Sequence, residues 1–146
     1  MAVTARFYGS GLSQAYAGGI NFASDTIKVA LVQSGYIFDQ ALHENFSDIT
    51  NEATGTGYTA GGATLGTKAS NFTAGELRLD AADVVWSTST ITASYAVIYK
   101  DTGVASSSTL LGYVDFGSVQ SSSAGDFTIT WDANGIFVID PEPYTV

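Results

Sequence analysis

Cysteine is absent from the 146-residue chain, histidine and methionine occur once each, and Lys and Arg number 5 against 14 Asp and Glu. Without cysteine there is no disulfide framework, no thiolate zinc site and no cysteine nucleophile. A disulfide-free domain of this size suits any redox compartment. The lone His43 excludes a multi-histidine metal centre within one chain and would be the only base open to a Ser-His-Asp triad. A net charge of −9 opposes grip on nucleic-acid phosphates, which needs a basic face, and opposes adsorption to anionic membranes. No apolar run reaches the ~18 residues of a membrane span, so none is expected. No apolar core follows Arg6, so no secretory signal is expected. The 2 prolines, Pro141 and Pro143, both fall near the end.

What remains points to β structure. Hydrophobic residues make up 45% of the chain, enough for a sizeable core in one domain spanning residues 1–146. Sixteen Gly, 16 Ser and 17 Thr account for a third of it, and charged residues for only 13%. Small polar side chains suit the outer faces of strands. A helical bundle would need Glu, Lys and Leu in quantity.

Segment by segment, residues 5–19 carry Phe7, Leu12, Ala15 and Tyr16 at near-helical spacing, so a short helix or an arm is expected over residues 1–20, ended by Gly18-Gly19. Such a terminus packs on its own domain or docks on a neighbouring subunit. Residues 24–34 form a strand that is apolar on both faces, which implies a central place between two layers. Residues 38–49 suggest a short helix capped by Asp39, with Leu42, Phe46 and Ile49 on one side. Residues 51–67 read as a long Gly-Thr-Ala loop turning into a glycine-kinked strand. Residues 71–86 read as strand, Ala74-Gly75 turn, strand. The clearest strand covers residues 88–100, with Ile91, Ala93, Tyr95, Val97 and Tyr99 on one face. Residues 109–117 form another, with Leu111, Tyr113 and Asp115 opposite Leu110, Val114 and Phe116. Residues 126–139 are expected to make a hairpin about Asn134-Gly135. The proline-bearing residues 140–146 form an extended tail. The expected architecture is a mainly β antiparallel sandwich or flattened barrel, with one or two short helices near the N-terminus.

Reactive groups are few. Gly55-Thr56-Gly57-Tyr58-Thr59-Ala60 matches a dinucleotide fingerprint in letters, but no apolar strand precedes it and Gly61-Gly62 follows it. His43-Glu44 lacks the second histidine of a zinc-protease helix. Asp80, Asp83 and Asp101 read as solvated loop carboxylates rather than a Ca²⁺ site. Glu76 and Arg78 share a strand face as an ordinary ion pair. Asp115, inside an apolar strand, is the carboxylate of most interest. No catalytic residue, cofactor or metal site is assigned. Phe7, Tyr8, Leu12, Tyr16, Tyr36 and Tyr58 lie in segments expected to be peripheral and are the candidate partner contacts.

Five segments together resemble small structural proteins of tailed bacteriophages, of the capsid decoration (cement) type. They are Ser24–Leu31, Gly55–Gly62, Tyr95–Tyr99, Leu111–Gly117 and Phe127–Phe137. The likeness runs from about Phe7 to Ile139 and consists of strand segments, with no catalytic signature. It implies a virion protein made in the host bacterial cytoplasm. Such a protein sits as a homotrimer on the outer surface of the phage head, over junctions between copies of the major capsid protein, with no nucleic-acid or membrane partner. Alternative readings are a tail tube, tail fibre or adhesin domain, or a carbohydrate-binding module.

Overall fold

The computed structural model describes residues 3–141, and its strands are joined largely by polar loops. In order these are β1 (Thr4–Phe7), helix α1 (Gly9–Tyr16), β2 (Ile27–Val32), β3 (Gly55–Thr56), β4 (Ala63–Thr64) and β5 (Ala69–Thr73). Then come β6 (Glu76–Asp80), β7 (Val84–Lys100), β8 (Leu110–Ser121), β9 (Gly125–Ile129) and β10 (Phe137–Ile139). The protein is mainly β and antiparallel, in a sandwich-like arrangement with one α-helix among the described residues.

The main sheet is organised by β7, whose 17 residues are the richest run of β-branched and aromatic side chains in the chain. On one edge β7 pairs first with β8, from Tyr99↔Leu110 to Thr92↔Ser121, and then with β9, from Ser89↔Gly125 to Val84↔Ile129. Strands β8 and β9 therefore lie end to end along one partner. On the other edge β7 pairs with β2, from Ile27↔Lys100 to Val32↔Tyr95, and with β3 at Gly55↔Ile91. Strand β1 extends the sheet beyond β8, and β4 extends it beyond β2. A second sheet, ordered β10-β6-β5, stands apart from this ladder. Its β5–β6 hairpin turns at Ala74 (φ 54°) and Gly75 (φ 87°), the pair of left-handed residues that matches strand twist.

Two apolar clusters occupy the two faces of the main sheet. Ile27, Val29 and Leu31 of β2 enter the larger one, with Trp86, Ile91, Ala96, Ile98, Leu111, Val114, Phe127 and Phe137. Ala30 and Val32 enter the second, beneath Tyr8, Tyr36, Phe38 and Phe46. The two-faced apolar pattern of β2 thus has its reason: it is covered on both sides. Each fully buried aliphatic side chain contributes roughly 1.5–3 kcal/mol. The small sheet closes one end of the larger cluster. There the Phe137 ring lies against Gly112, where any Cβ would collide with it, and 4.4 Å from the Phe7 ring.

Several expectations are corrected. Ile91 and Ala93 share their face with Ala96 and Ile98, while Tyr95, Val97 and Tyr99 point to the other side. The cause is a bulge between Ala93 and Tyr95, which shifts the two-residue alternation by one. A second irregularity, opposite Ile98 and Tyr99, puts Leu111 with Val114 and Leu110 with Tyr113. The strand expected to end at 117 continues to Ser121. The N-terminal segment is not helical throughout: Thr4–Phe7 pairs with β8, and the helix starts at Gly9. Residues 38–49 hold no α-helix. Asp39 Oδ1 accepts from the amides of Ala41 and Leu42, each at 2.9 Å, and caps a single turn, and Phe46–Asp48 is a 3₁₀ turn. Residues 126–139 make no hairpin. Asn134-Gly135 does turn the chain, with Gly135 at φ 110°, but β9 pairs with β7 and β10 with β6. The chain leaves the main sheet there because Ile136 and Phe137 are buried against the small sheet. Asp140 and Pro141 carry no strand, and the remainder of the expected tail, like the first two residues of the expected arm, lies outside the described residues.

Gly62 shows how tightly the loop before β4 meets the sheet. Its φ is 76°, and a Cβ there would strike the Val29 carbonyl oxygen. Gly62→Ala should cost roughly 2–4 kcal/mol in chemical denaturation. Gly66→Ala, where a Cβ meets nothing within 4 Å, should be neutral or stabilising by up to ~1 kcal/mol. Equal midpoints for the two variants would contradict this packing.

Candidate interaction surface

Tyr8 and Tyr36, two of the six expected contact residues, are buried at 0% and 3% exposure. They present no surface to a partner, because the loop after β2 folds over the second apolar cluster and carries Tyr36 inward. Their hydroxyls meet at 2.8 Å, and Tyr36 Oη lies 2.8 Å from His43 Nδ1. The three groups form one hydrogen-bonded chain, with the Tyr36 hydroxyl between the Tyr8 hydroxyl and the His43 ring. Around them Phe38 stacks on Tyr113 at 4.4 Å, and Tyr95 sits 5.4 Å from Tyr113. Burial raises the pKa of Tyr8, Tyr36 and Tyr113. His43 therefore anchors the covering loop through its polar edge.

Tyr58 has a comparable structural role. Its hydroxyl donates to Glu52 Oε1 at 2.8 Å and accepts from the Leu31 amide at 3.0 Å. The same Glu52 oxygen accepts from the Gly61 amide at 2.6 Å, and Tyr99 Oη donates to the Gly61 carbonyl at 2.7 Å. The glycine-rich loop of residues 51–66 is thus tied to β2 and β7 from within. Burial also raises the pKa of Tyr58 and Tyr99, with Glu52 adding to the effect for Tyr58 and Asp101 for Tyr99.

The remaining three candidates come together. Phe7, Leu12 and Tyr16 line an apolar cleft of about 440 Å³ between α1 and the small sheet, with Ile20, Leu77 and Ile139. The helix can lie this close to β8 because Gly11 has no side chain: a Cβ there would meet the Leu110 carbonyl. Tyr16 is 87% exposed, and Phe72, on the β5 strand of the small sheet, is 73% exposed. A second exposed pair, Ile37 and Leu42, lies on the covering loop at 83% and 76%. Ile37, Leu42 and Phe72 were not singled out from the sequence. In the sequence Leu42 reads as the apolar side of a helix that does not form, and Phe72 stands between the polar Asn71 and Thr73.

Charged groups are engaged in holding loops. Lys28 pairs with Asp101 at 3.0 Å, Lys100 with Asp25 at 2.9 Å, and Arg78 with Glu76 at 2.8 Å, the last as the strand pattern predicts. Asp101 is held below the usual carboxylate range, chiefly by the Gly103 amide and then by Lys28. Asp83 accepts the Trp131 amide, and Asp80 its neighbour Ala81, so these two and Asp101 serve separate loops. Asp115 Oδ1 accepts the Gly117 amide at 2.8 Å where β8 bulges. No three His, Asp or Glu side chains converge as a cation site among the described residues. Nor does any described helix have the length and apolarity to cross a membrane. No family model, curated protein or solved structure matches the chain.

Five tyrosines, Tyr8, Tyr36, Tyr58, Tyr99 and Tyr113, have folded pKa values raised above 10.0. The unfolded chain loses these protons first, so their contribution to stability is intact below about pH 10 and is lost as pH rises beyond it. Absorbance at 295 nm should show most tyrosinate forming in one step together with loss of the far-UV signal. Ionisation of these five well before unfolding would contradict their burial. Tyr36→Phe should cost roughly 1–3 kcal/mol, since it strips Tyr8 and His43 of their shared partner.

Proposed function

We propose that this chain is a structural protein of a tailed-bacteriophage virion, a decoration protein that binds the outer surface of the head as a homotrimer and stabilises junctions between major capsid proteins. Its role is adhesive, and it carries out no reaction. The observation that supports this reading is apolar exposure. Tyr16, Ile37, Leu42 and Phe72 are each more than 70% exposed, on a fold whose Tyr8, Tyr36 and Tyr58 hydroxyls and whose Lys28 and Lys100 ion pairs are occupied in fixing loops. Exposed large apolar side chains near an apolar cleft mark a contact surface.

The energetics of the role follow from linkage. A protein that binds only the assembled shell shifts the equilibrium toward assembly. Three linked copies turn a weak single-site affinity into strong retention through effective concentration. An excess of acid, with 14 Asp and Glu against 5 Lys and Arg, disfavours trapping of nucleic acid.

Light scattering on the purified chain should give three times the 15.2 kDa protomer mass. Co-sedimentation should show binding to phage heads but not to isolated tails. Tyr16→Ser combined with Leu42→Ser should reduce head binding by about tenfold or more while leaving the melting temperature nearly unchanged. A monomer that ignores heads would overturn the reading, and binding confined to tails would reassign the protein to a tail tube, fibre or adhesin.

A further inference from the structure

A second cleft, of about 570 Å³, lies away from α1 and has a different construction. Every residue from Asp126 to Asp132 lines it. Side chains of a strand alternate between its faces, so a cleft touched by four consecutive strand residues, Asp126 to Ile129, runs along the edge of β9, and Thr130 to Asp132 continue its lining past the end of the strand. One edge of β9 is taken by β7, and its other edge carries no strand among the described residues. The opposite wall has an apolar part, Ala5 of β1 with Val114 and Phe116 of β8, and a polar part, Gln120 and Ser121 farther along β8. Beside it β8 bulges, advancing five residues from Asp115 to Gln120 while β7 moves only from Tyr95 to Ala93.

The two ends of the run are acidic. Asp126 Oδ1 accepts the Thr88 amide at 3.3 Å, and Asp132 Oδ1 accepts the Asn134 amide at 2.8 Å. Each carboxylate is thereby held in place while its Oδ2 has no donor among the described residues. No Lys or Arg lines the cleft. The two acids are six residues apart, up to about 20 Å of extended chain.

We infer that this slot binds an extended peptide segment of a partner protein, which adds as a strand to the free edge of β9. Its inward side chains are apolar, and it carries a Lys or Arg near each end. Main-chain pairing with β9 supplies affinity, Ala5, Val114 and Phe116 on the opposite wall select apolar side chains, and the two carboxylates select the basic ends. An anionic ligand is disfavoured by Asp126 and Asp132. The inference is independent of the head-decoration reading, since it concerns what the chain grips on whichever particle carries it.

Isotope-labelled full-length protein would be titrated with the blocked peptide Lys-Val-Thr-Val-Thr-Val-Lys, with its Glu-ended counterpart, and with the basic peptide N-methylated at every inner residue. The basic peptide should shift amide signals at residues 126–132 and at Ala5 and Val114. The Glu-ended and N-methylated peptides should bind at least tenfold more weakly. Asp126→Asn with Asp132→Asn keeps both Oδ1 acceptors and hence the fold, and should weaken the basic peptide by roughly tenfold. Equal binding of all three peptides, shifts confined to the α1 cleft, or no binding of the basic peptide at about 1 mM would overturn the inference. So would saturation of this slot by a neutral oligosaccharide that the peptide cannot displace.

Discussion

Strand β7 must bury side chains on both faces while changing partners along its length, and the rest of the fold depends on that constraint. At its C-terminal half it is the centre of a sheet, with β2 on one edge and β8 on the other. At its N-terminal half it holds β3 and β9. A regular 17-residue strand would keep one alternation throughout. Here the bulge after Ala93 reverses it, so that Ile91, Ala93, Ala96 and Ile98 reach one cluster while Tyr95, Val97 and Tyr99 reach the other. Thr88, at φ 51°, marks a further departure. A β-branched residue in that region carries roughly 1–3 kcal/mol of strain. The Asp126 carboxylate accepts its amide at 3.3 Å, where the ladder between Trp86 and Ser89 is interrupted.

The legible parts of the sequence were those set by local chemistry. The Ala74-Gly75 turn, the two-faced apolar run of β2 and the Glu76–Arg78 pair each rest on residues close together in the chain. What was not legible depended on partners far away. Nothing near Ser94 announces a bulge, because a bulge is a property of the pairing with β8. Asn134-Gly135 is a turn in any context, but whether the strands beside it pair with each other is decided by β7 and β6. The candidate surface divides in the same way. Tyr16 and Leu12 could be placed from helical spacing. Tyr8, Tyr36 and Tyr58 could not, since the burial of the first two follows from a loop closing over one face, and the tethering of the partly buried Tyr58 from Glu52 reaching across to it and to Gly61.

Tyrosine takes on work here that other proteins assign to charged residues. Each ring supplies apolar area, and each hydroxyl satisfies a buried polar group at the edge of the core. The Tyr8–Tyr36–His43 chain fastens the loop after β2, and the Tyr58–Glu52–Gly61–Tyr99 set fastens the loop of residues 51–66. No buried side-chain nitrogen or oxygen among the described residues lacks a partner. Such networks specify one arrangement, since a half-satisfied network is worse than an apolar core. Loops held in this way keep their shape without disulfides.

That rigidity bears on recognition. Association costs the ordering of whatever is mobile at the contact, roughly 0.5–1.5 kcal/mol for each rotamer-rich side chain immobilised. A surface presented on loops already fixed from beneath avoids much of that cost. Ile37 and Leu42 sit on the loop that Tyr36 and His43 anchor, and Tyr16 sits on a helix pressed against β8 through Gly11. The excess of acid acts at longer range: it repels other acidic surfaces over about 8–10 Å at ordinary salt, whereas apolar contact is gained only on touching. Two like-charged copies therefore associate only where the apolar area that meets is large enough to outweigh the repulsion, and a partner with basic segments meets no such barrier. A partner docking on such surfaces is thus selected by fit between pre-formed apolar areas, filtered by charge of one sign.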